Sequence, residues 1–147
     1  MKGRGVVTQV SSTVRRPGLS AATVKHLVAT TLESERISNA MISVAFVGRT
    51  TISRLNRKYL RHEGATDVIS FGMGRSARGM PAVGDIYICP DVARINARRN
   101  GIPAREELSR LVVHGTLHVA GYDHPDDDSR TKSKMWKRQE RILASAR

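Results

Sequence analysis

Apolar and polar residues recur along this chain with two different periods, and the order of these periods predicts the secondary structure. Short runs rich in β-branched and aromatic residues predict four strands at Val6–Val10, Asn39–Val47, Asp67–Phe71 and Asp85–Cys89. The second run is apolar on both alternating faces, which predicts a central strand buried on both sides.

Segments with apolar residues three and four positions apart predict five helices. Ser20 can cap the first helix, and Gly121 is expected to end the fourth. The fourth is apolar almost all round and should therefore be central to the fold. The predicted spans are, in order, the segment after Ser20, Thr50–Leu60, Pro90–Asn100, Pro103–Ala120 and the segment after Asp126–Asp128. The order β-α-β-α-β-β-α-α-α predicts an α+β fold: one domain over residues 1–147, with a small, mostly buried four-stranded sheet packed against about five helices.

Charge is the first indication of a partner. The chain has 147 residues with 25 Lys+Arg against 13 Asp+Glu, a formal net charge of +12. Such an excess favours a polyanion, because Lys and Arg that bind phosphates release condensed counterions. Generic solubility is the alternative explanation. Aromatic residues make up only 4% of the chain, which argues against an extended stacking platform, so phosphates are expected to provide most of the contact with any RNA.

Other counts exclude whole classes of protein. No apolar run approaches the roughly 20 residues needed to cross a bilayer, and the first residues lack the apolar segment of a signal peptide. A lone cysteine, Cys89, cannot form an internal disulfide and suits a reducing compartment. We therefore expect a cytoplasmic protein without membrane contact.

Three histidines carry the clearest chemical signal. His114 and His118 are four residues apart on the predicted fourth helix, so their imidazoles project from the same face. Gly121 allows the chain to turn back, which brings His124 within reach. Three imidazoles at this spacing can hold Zn²⁺ with its fourth position open to water, as in catalytic sites; Ni, Cu and Fe are also compatible. Histidines that are close by chance are the alternative.

An open metal of this kind indicates hydrolysis, but it does not choose the substrate. The spacing HxxxHxxGxxH is also that of metzincin proteases, whose general base is a Glu directly after the first His. Gly115 stands there in this chain, so the base for peptide hydrolysis is missing. Asp123 can orient an imidazole or simply lie in a solvated turn. Glu107 shares a helical face with His114, although a surface or helix-dipole role is the simpler interpretation.

The segment HGTLHVAGYDH (114–124) resembles HGxLHLxGYDH of the YbeY family, the bacterial endoribonucleases of rRNA maturation. The resemblance extends over roughly residues 40–145. It is supported by Leu55-Asn56 with Tyr59, by residues 65–71, by residues 84–86, and by Met135, Glu140 and Ile142-Leu143 near the C-terminus.

The resemblance implies an α+β fold and one zinc ion on His114, His118 and His124. It also implies action on single-stranded RNA in 16S rRNA 3′-end maturation and ribosome quality control, with rRNA and the small ribosomal subunit as partners. One position departs from the family, which typically has Arg after the Tyr of LNxxY. Here Leu60 follows Tyr59, and Arg61 comes one residue later, about 100° further round a helix. The resemblance therefore assigns no catalytic Arg.

Two groups of basic residues are candidates for holding RNA. Arg130, Lys134, Lys137 and Arg141 fall near one face of the last helix, and Arg75 and Arg78 lie in a Gly-rich loop. A solvated helix face is the alternative for the first group.

Two other functions remain open from sequence. The chain could be a non-catalytic ribosome-assembly factor with a structural zinc, or a metal-dependent hydrolase of another substrate. If it cleaves RNA, either a metal-activated water or the RNA 2′-OH could be the nucleophile, and no general base is evident.

Overall fold

A four-stranded sheet forms the centre of the fold in the computed structural model, which describes residues 5–73, 80–122 and 134–146. Its strands are β1 (Gly5–Ser12), β2 (Asn39–Phe46), β3 (Val68–Gly72) and β4 (Ala82–Ile88). They lie in the order β1-β2-β4-β3, with β3 antiparallel to β4 and the other neighbours parallel. Each strand overlaps its predicted run, and β2 is central as predicted.

Five α-helices accompany the sheet in the described parts of the chain. They are α1 (Ala21–Ser34), α2 (Arg49–Leu55), α3 (Pro90–Asn100), α4 (Ala104–Val119) and α5 (Lys134–Ser145). Ser20 caps α1 as predicted, since its side chain accepts a hydrogen bond from the Thr23 amide. The α+β class predicted from sequence is confirmed. No helix in the described ranges is long and apolar enough to span a bilayer.

Helix α4 lies against the sheet at unusually short range. A Cβ placed on Gly115 would stand 2.7 Å from Cγ2 of Ile86, and one on Gly84 would stand 2.7 Å from Cγ2 of Val119 in α4. Real Cβ atoms do not approach neighbours so closely, so glycine at these two positions is what allows α4 to contact β4 directly. The central position predicted for this helix follows from that contact.

The prediction that β2 is buried on both faces is wrong. Only alternate residues of β2 are buried, and Met41 is 60% exposed on the other face. The sheet register places Met41 between Val7 of β1 and Val83 of β4. Met73, which follows β3, donates its amide to the Val83 carbonyl and is 78% exposed. Apolar side chains thus form a row across this end of the sheet. The row is exposed because α2 packs over the opposite end of the same face.

The helix predicted over Thr50–Leu60 is present, but it changes from α to π geometry partway along. After Leu55 the backbone widens into a π-helical turn over Asn56–Leu60, which stops at Arg61 in the left-handed conformation (φ 57°). Asn56 is 6% exposed, and its side-chain amide donates to the Gly64 carbonyl at 3.0 Å. That hydrogen bond ties the loop at Gly64 back onto the π-helical turn.

Helix α5 is joined to α1 by charge-assisted hydrogen bonds. Arg138 donates from Nε to the Glu35 carboxylate at 2.7 Å and from Nη2 to the Ser34 carbonyl at 2.8 Å. The Glu35 carboxylate raises the pKa of Arg138, which strengthens its hold on the positive charge. These contacts hold α5 against the C-terminal end of α1.

Candidate metal centre

His114 and His118 are adjacent on α4, as their spacing predicts. Their ring centroids are 4.7 Å apart with an interplanar angle of 77°, and both residues are partly buried. The i, i+4 relation on a continuous helix brings the rings together without any contribution from the rest of the fold.

A hydrogen bond to a backbone carbonyl determines which ring nitrogen of His118 carries the proton. Nδ1 of His118 lies 2.9 Å from the Tyr122 carbonyl oxygen. A carbonyl only accepts, so Nδ1 carries the hydrogen and Nε2 carries the lone pair. Gly121, at φ 113°, makes the turn after α4 that aims this carbonyl back at the ring.

The proton of His114 is located by a chain of side chains from α5. Nδ1 of His114 lies 2.7 Å from Oε1 of Gln139, while Nε2 of Gln139 donates to Oε2 of Glu140 at 3.0 Å. The Glu140 carboxylate can only accept, which fixes the orientation of the Gln139 amide and turns its oxygen toward His114. His114 therefore also donates from Nδ1 and holds its lone pair on Nε2.

Arg110 holds this chain in place from the other side. Its guanidinium donates to both oxygens of Glu140, at 2.8 and 3.0 Å, and to Glu107 and Glu106 at 3.1 and 3.3 Å. The hydrogen bond to Glu140 is the main cause that raises the pKa of Arg110, so the guanidinium stays charged. Glu107 is 8% exposed, which corrects the expectation of a surface role, but it stands in the first turn of α4, as the expected helix-dipole role requires. Arg110 thus links three carboxylates, and one of them, Glu140, in turn holds the Gln139 amide.

The donor set fits a metal ion. Two neighbouring imidazoles each donate from Nδ1 to an acceptor, which leaves the Nε2 lone pair as the ligating electron pair in both. No set of three His, Cys, Asp or Glu side chains suited to a metal is found among residues 5–73, 80–122 and 134–146. His124 and Asp123, the predicted third ligand and its neighbour, lie outside these residues, as do Arg75, Arg78 and Arg130. Lys134, Lys137 and Arg141 are exposed on α5.

Gly115 has a packing reason to differ from the Glu of metzincin proteases. Its α-carbon faces Ile86 of β4, a side chain with no exposed surface. A carboxylate at this position would be driven into the core. Glycine at position 115 therefore has two consequences: it lets α4 pack against the sheet, and it leaves the chain without a protease-type base.

The position at which the resemblance expects Arg has different geometry here. Leu60 is 44% exposed at the end of the π-helical turn, and Arg61 follows with a left-handed backbone. The helix has ended at that point, so the 100° rotation expected of a continuing helix does not apply to Arg61.

The sequence interpretation missed Gln139 and Arg110. A signal for Gln139 was present: it is a polar residue on the otherwise apolar face of α5 formed by Met135, Ile142 and Leu143, and it is 1% exposed. A buried amide in such a stripe requires a hydrogen-bonding partner.

Comparison with known proteins identifies relatives along nearly the whole chain. The sequence model of the family described as Endoribonuclease YbeY matches residues 9–147. An Endoribonuclease YbeY of Chlorobium luteolum is 37% identical over 136 residues, 92% of this chain and 94% of the relative. One of Staphylococcus carnosus is 37% identical over 127 residues, 82% of each chain. The solution structure of TM1509 from Thermotoga maritima covers 95% of this chain and 89% of its own, with 25% identity and a TM-score of 0.64.

Proposed function

This chain belongs to the Endoribonuclease YbeY family, an enzyme family named for cutting RNA, and from that premise we propose that it is a zinc-dependent endoribonuclease specific for single strands. His114, His118 and His124 would hold the zinc ion. The proposal is carried by two hydrogen bonds, from Nδ1 of His114 to Gln139 and from Nδ1 of His118 to the Tyr122 carbonyl. They leave Nε2 of each imidazole as the nitrogen that can ligate a metal.

Each residue then has a distinct task. Zinc, when bound, supplies Lewis-acid chemistry toward a phosphoryl oxygen. His114 and His118 orient their lone pairs; Gln139 holds the ring of His114, and the Tyr122 carbonyl holds that of His118. His124 receives its role from the HGTLHVAGYDH motif.

Family membership and charge support a proposal for the cellular setting. We place the activity in 16S rRNA 3′-end maturation and ribosome quality control, with rRNA and the small ribosomal subunit as partners. The net charge of +12 suits a polyanionic substrate, and the buried, unpaired Cys89 suits the reducing cytoplasm.

The test is cleavage of a single-stranded fragment from the 3′ end of 16S rRNA by the purified wild type and by His114→Ala. His26→Ala is the matched control, because His26 is an exposed histidine on α1. Metal analysis and circular dichroism accompany each protein. We expect cleavage and zinc in the wild type and the control, and loss of both in a folded His114→Ala protein.

Equal cleavage by all three proteins would assign the activity to a contaminant or another site. Absence of cleavage from all three, with zinc bound, would favour the assembly-factor alternative. A 2′,3′-cyclic phosphate on the products would identify the RNA 2′-OH as the nucleophile.

A further inference from the structure

A second basic surface, which the sequence interpretation did not single out, lies on α2 and the turn that follows it. Five cations fall within thirteen positions of the chain: Arg49, Arg54, Arg57, Lys58 and Arg61. All five are exposed. Within the described parts of the chain none of them forms an ion pair. Their charge is therefore available to a ligand.

Three of these cations line one cavity. Five of the lining residues fall at positions i, i+1, i+4, i+5 and i+8, so they share the side of the helix away from the buried Ile52: Arg49, Thr50, Ser53, Arg54 and Arg57. With Glu63 and Gly64 they line a surface cavity of about 360 Å³. We call the guanidinium and hydroxyl groups of this cavity the arginine cradle.

The far wall of the arginine cradle is held by a buried side chain. The Asn56 amide donates to the Gly64 carbonyl at 3.0 Å, and the His62 amide donates to the Asn56 carbonyl at 3.3 Å. The turn that carries Glu63 and Gly64 is thereby tied to the helix. Three guanidinium groups and two hydroxyls against one carboxylate select an anion with several oxygen acceptors, for which a phosphate is suited.

An exposed aromatic ring lies on the same segment, outside the residues that line the arginine cradle and next to the sheet. Tyr59 is 53% exposed, packs edge-on against Phe71 at 5.2 Å between ring centroids, and has Lys58 Nζ 5.1 Å from its ring centre. Contact with Phe71 holds the ring in place, so a base can stack on it at little entropic cost. Bases of a duplex are not accessible in this way, which favours a single strand.

The arginine cradle is separate from the metal centre. Ile52 of α2 packs with Ile69, on the face of the sheet opposite to the one that Gly115 of α4 contacts through Ile86. RNA bound there would contact the enzyme away from the reacting phosphodiester.

We propose that the arginine cradle binds backbone phosphates of single-stranded RNA and that the Tyr59 ring, which lies outside the cradle and next to the sheet, stacks on a base further along the same strand. The proposal rests on the proposed function for the identity of the ligand. It predicts a contribution to substrate affinity rather than to the chemistry of cleavage.

The experiment measures binding of a fluorescent single-stranded oligouridylate with 2′-O-methyl groups, which cannot react through its 2′ oxygens, over a range of salt concentrations. The wild type is compared with R49Q/R54Q/R57Q. The control is R15Q/R98Q/R99Q, which removes the same charge from three exposed arginines elsewhere. Thermal melts verify that all the proteins are folded.

Each phosphate contact on a single strand contributes about 0.7 to the slope of log affinity against log salt, or about five-fold in affinity near 0.1 M salt. The cradle variant should therefore lose about 100-fold in affinity, and its slope should fall by about 2. The control should lose far less. Tyr59→Leu should lower affinity about five-fold or more with an unchanged slope, because stacking releases no counterions, while Tyr59→Phe should bind normally.

Equal affinity and slope in the cradle and control variants would overturn the inference, even if the wild type cleaves RNA. No binding by the wild type would also overturn it. Binding that depends on the cradle in a protein that never cleaves would support the inference and refute the proposed activity instead.

Discussion

Replacement of Gln139 by Leu tests whether this side chain sets the tautomer of His114. The change removes the 2.7 Å contact to His114 Nδ1 and the 3.0 Å contact to Glu140 while keeping an apolar group of similar size in the core. Gln139 is 1% exposed, so water cannot replace the lost acceptor. An unsatisfied buried N–H costs about 1–3 kcal/mol, and the imidazole escapes that cost by moving its proton to Nε2.

The proton then occupies the ligating nitrogen and must be moved back when a metal binds. Loss of such a partner lowers metal affinity by about 10- to 100-fold, which corresponds to about 1.4–2.8 kcal/mol. This range agrees with the cost of the unsatisfied N–H. We therefore expect the zinc affinity of Gln139→Leu, measured by competition with a chromophoric chelator, to fall by that factor.

Two further variants separate positioning from general stability. Gln139→Glu, as a carboxylic acid, keeps an oxygen acceptor for His114 and a donor for Glu140, so it should recover most of the zinc affinity. Thr31→Val removes a buried hydrogen bond to the Leu27 carbonyl, 2.7 Å long and far along the chain, and should leave zinc affinity unchanged. Wild-type zinc affinity in Gln139→Leu, or an equal loss in Thr31→Val, would refute the argument.

Three other predictions concern the fold around the site. Gly115→Ala should lower the free energy of unfolding in urea by about 1–2 kcal/mol, because overpacking against Ile86 exceeds the gain in helix propensity; unchanged stability would mean that α4 can move away from the sheet. Arg61→Gly should raise the free energy of unfolding by about 1 kcal/mol, because glycine adopts the left-handed backbone without strain. Arg61→Ala should not raise it, and an equal gain in both variants would exclude backbone strain as the cause. Burial and then the hydrogen bond to Glu35 raise the pKa of Tyr122 above 10.0, so its hydroxyl stabilises the fold below pH 10 and loses that effect as pH rises through the folded-state pKa. Tyr122→Phe should therefore show a shallower loss of stability at alkaline pH, and parallel pH profiles would contradict the assignment.

Local patterns were sufficient to predict the parts of the fold that depend on neighbouring residues. The pairing of His114 with His118 needs only the helical repeat, and Ser20 caps α1 through its own backbone neighbours. The positions of the four strands and five helices followed from hydrophobic periods of two and 3.6 residues in the same way.

Contacts between distant segments decided the rest. The sequence of β2 is apolar at nearly every position, yet only the α4 side is fully covered, because the number of layers around a strand depends on where the other helices pack. The loop after the π-helical turn is likewise held by a non-local contact, from the Asn56 side chain to the Gly64 carbonyl. Neither outcome is encoded in the periodicity of the segment itself.

The orientation of the metal-binding imidazoles depends both on local sequence and on contacts between distant segments. Sequence alone placed His114 and His118 on one face of a helix, because that relation is set within two turns. Which nitrogen of His114 carries the proton was decided by Gln139, 25 residues away, and by the Arg110–Glu140 pair that orients it. A hydrogen bond depends on distance and direction to within tenths of an ångström, and only the packing of α5 against α4 sets those values.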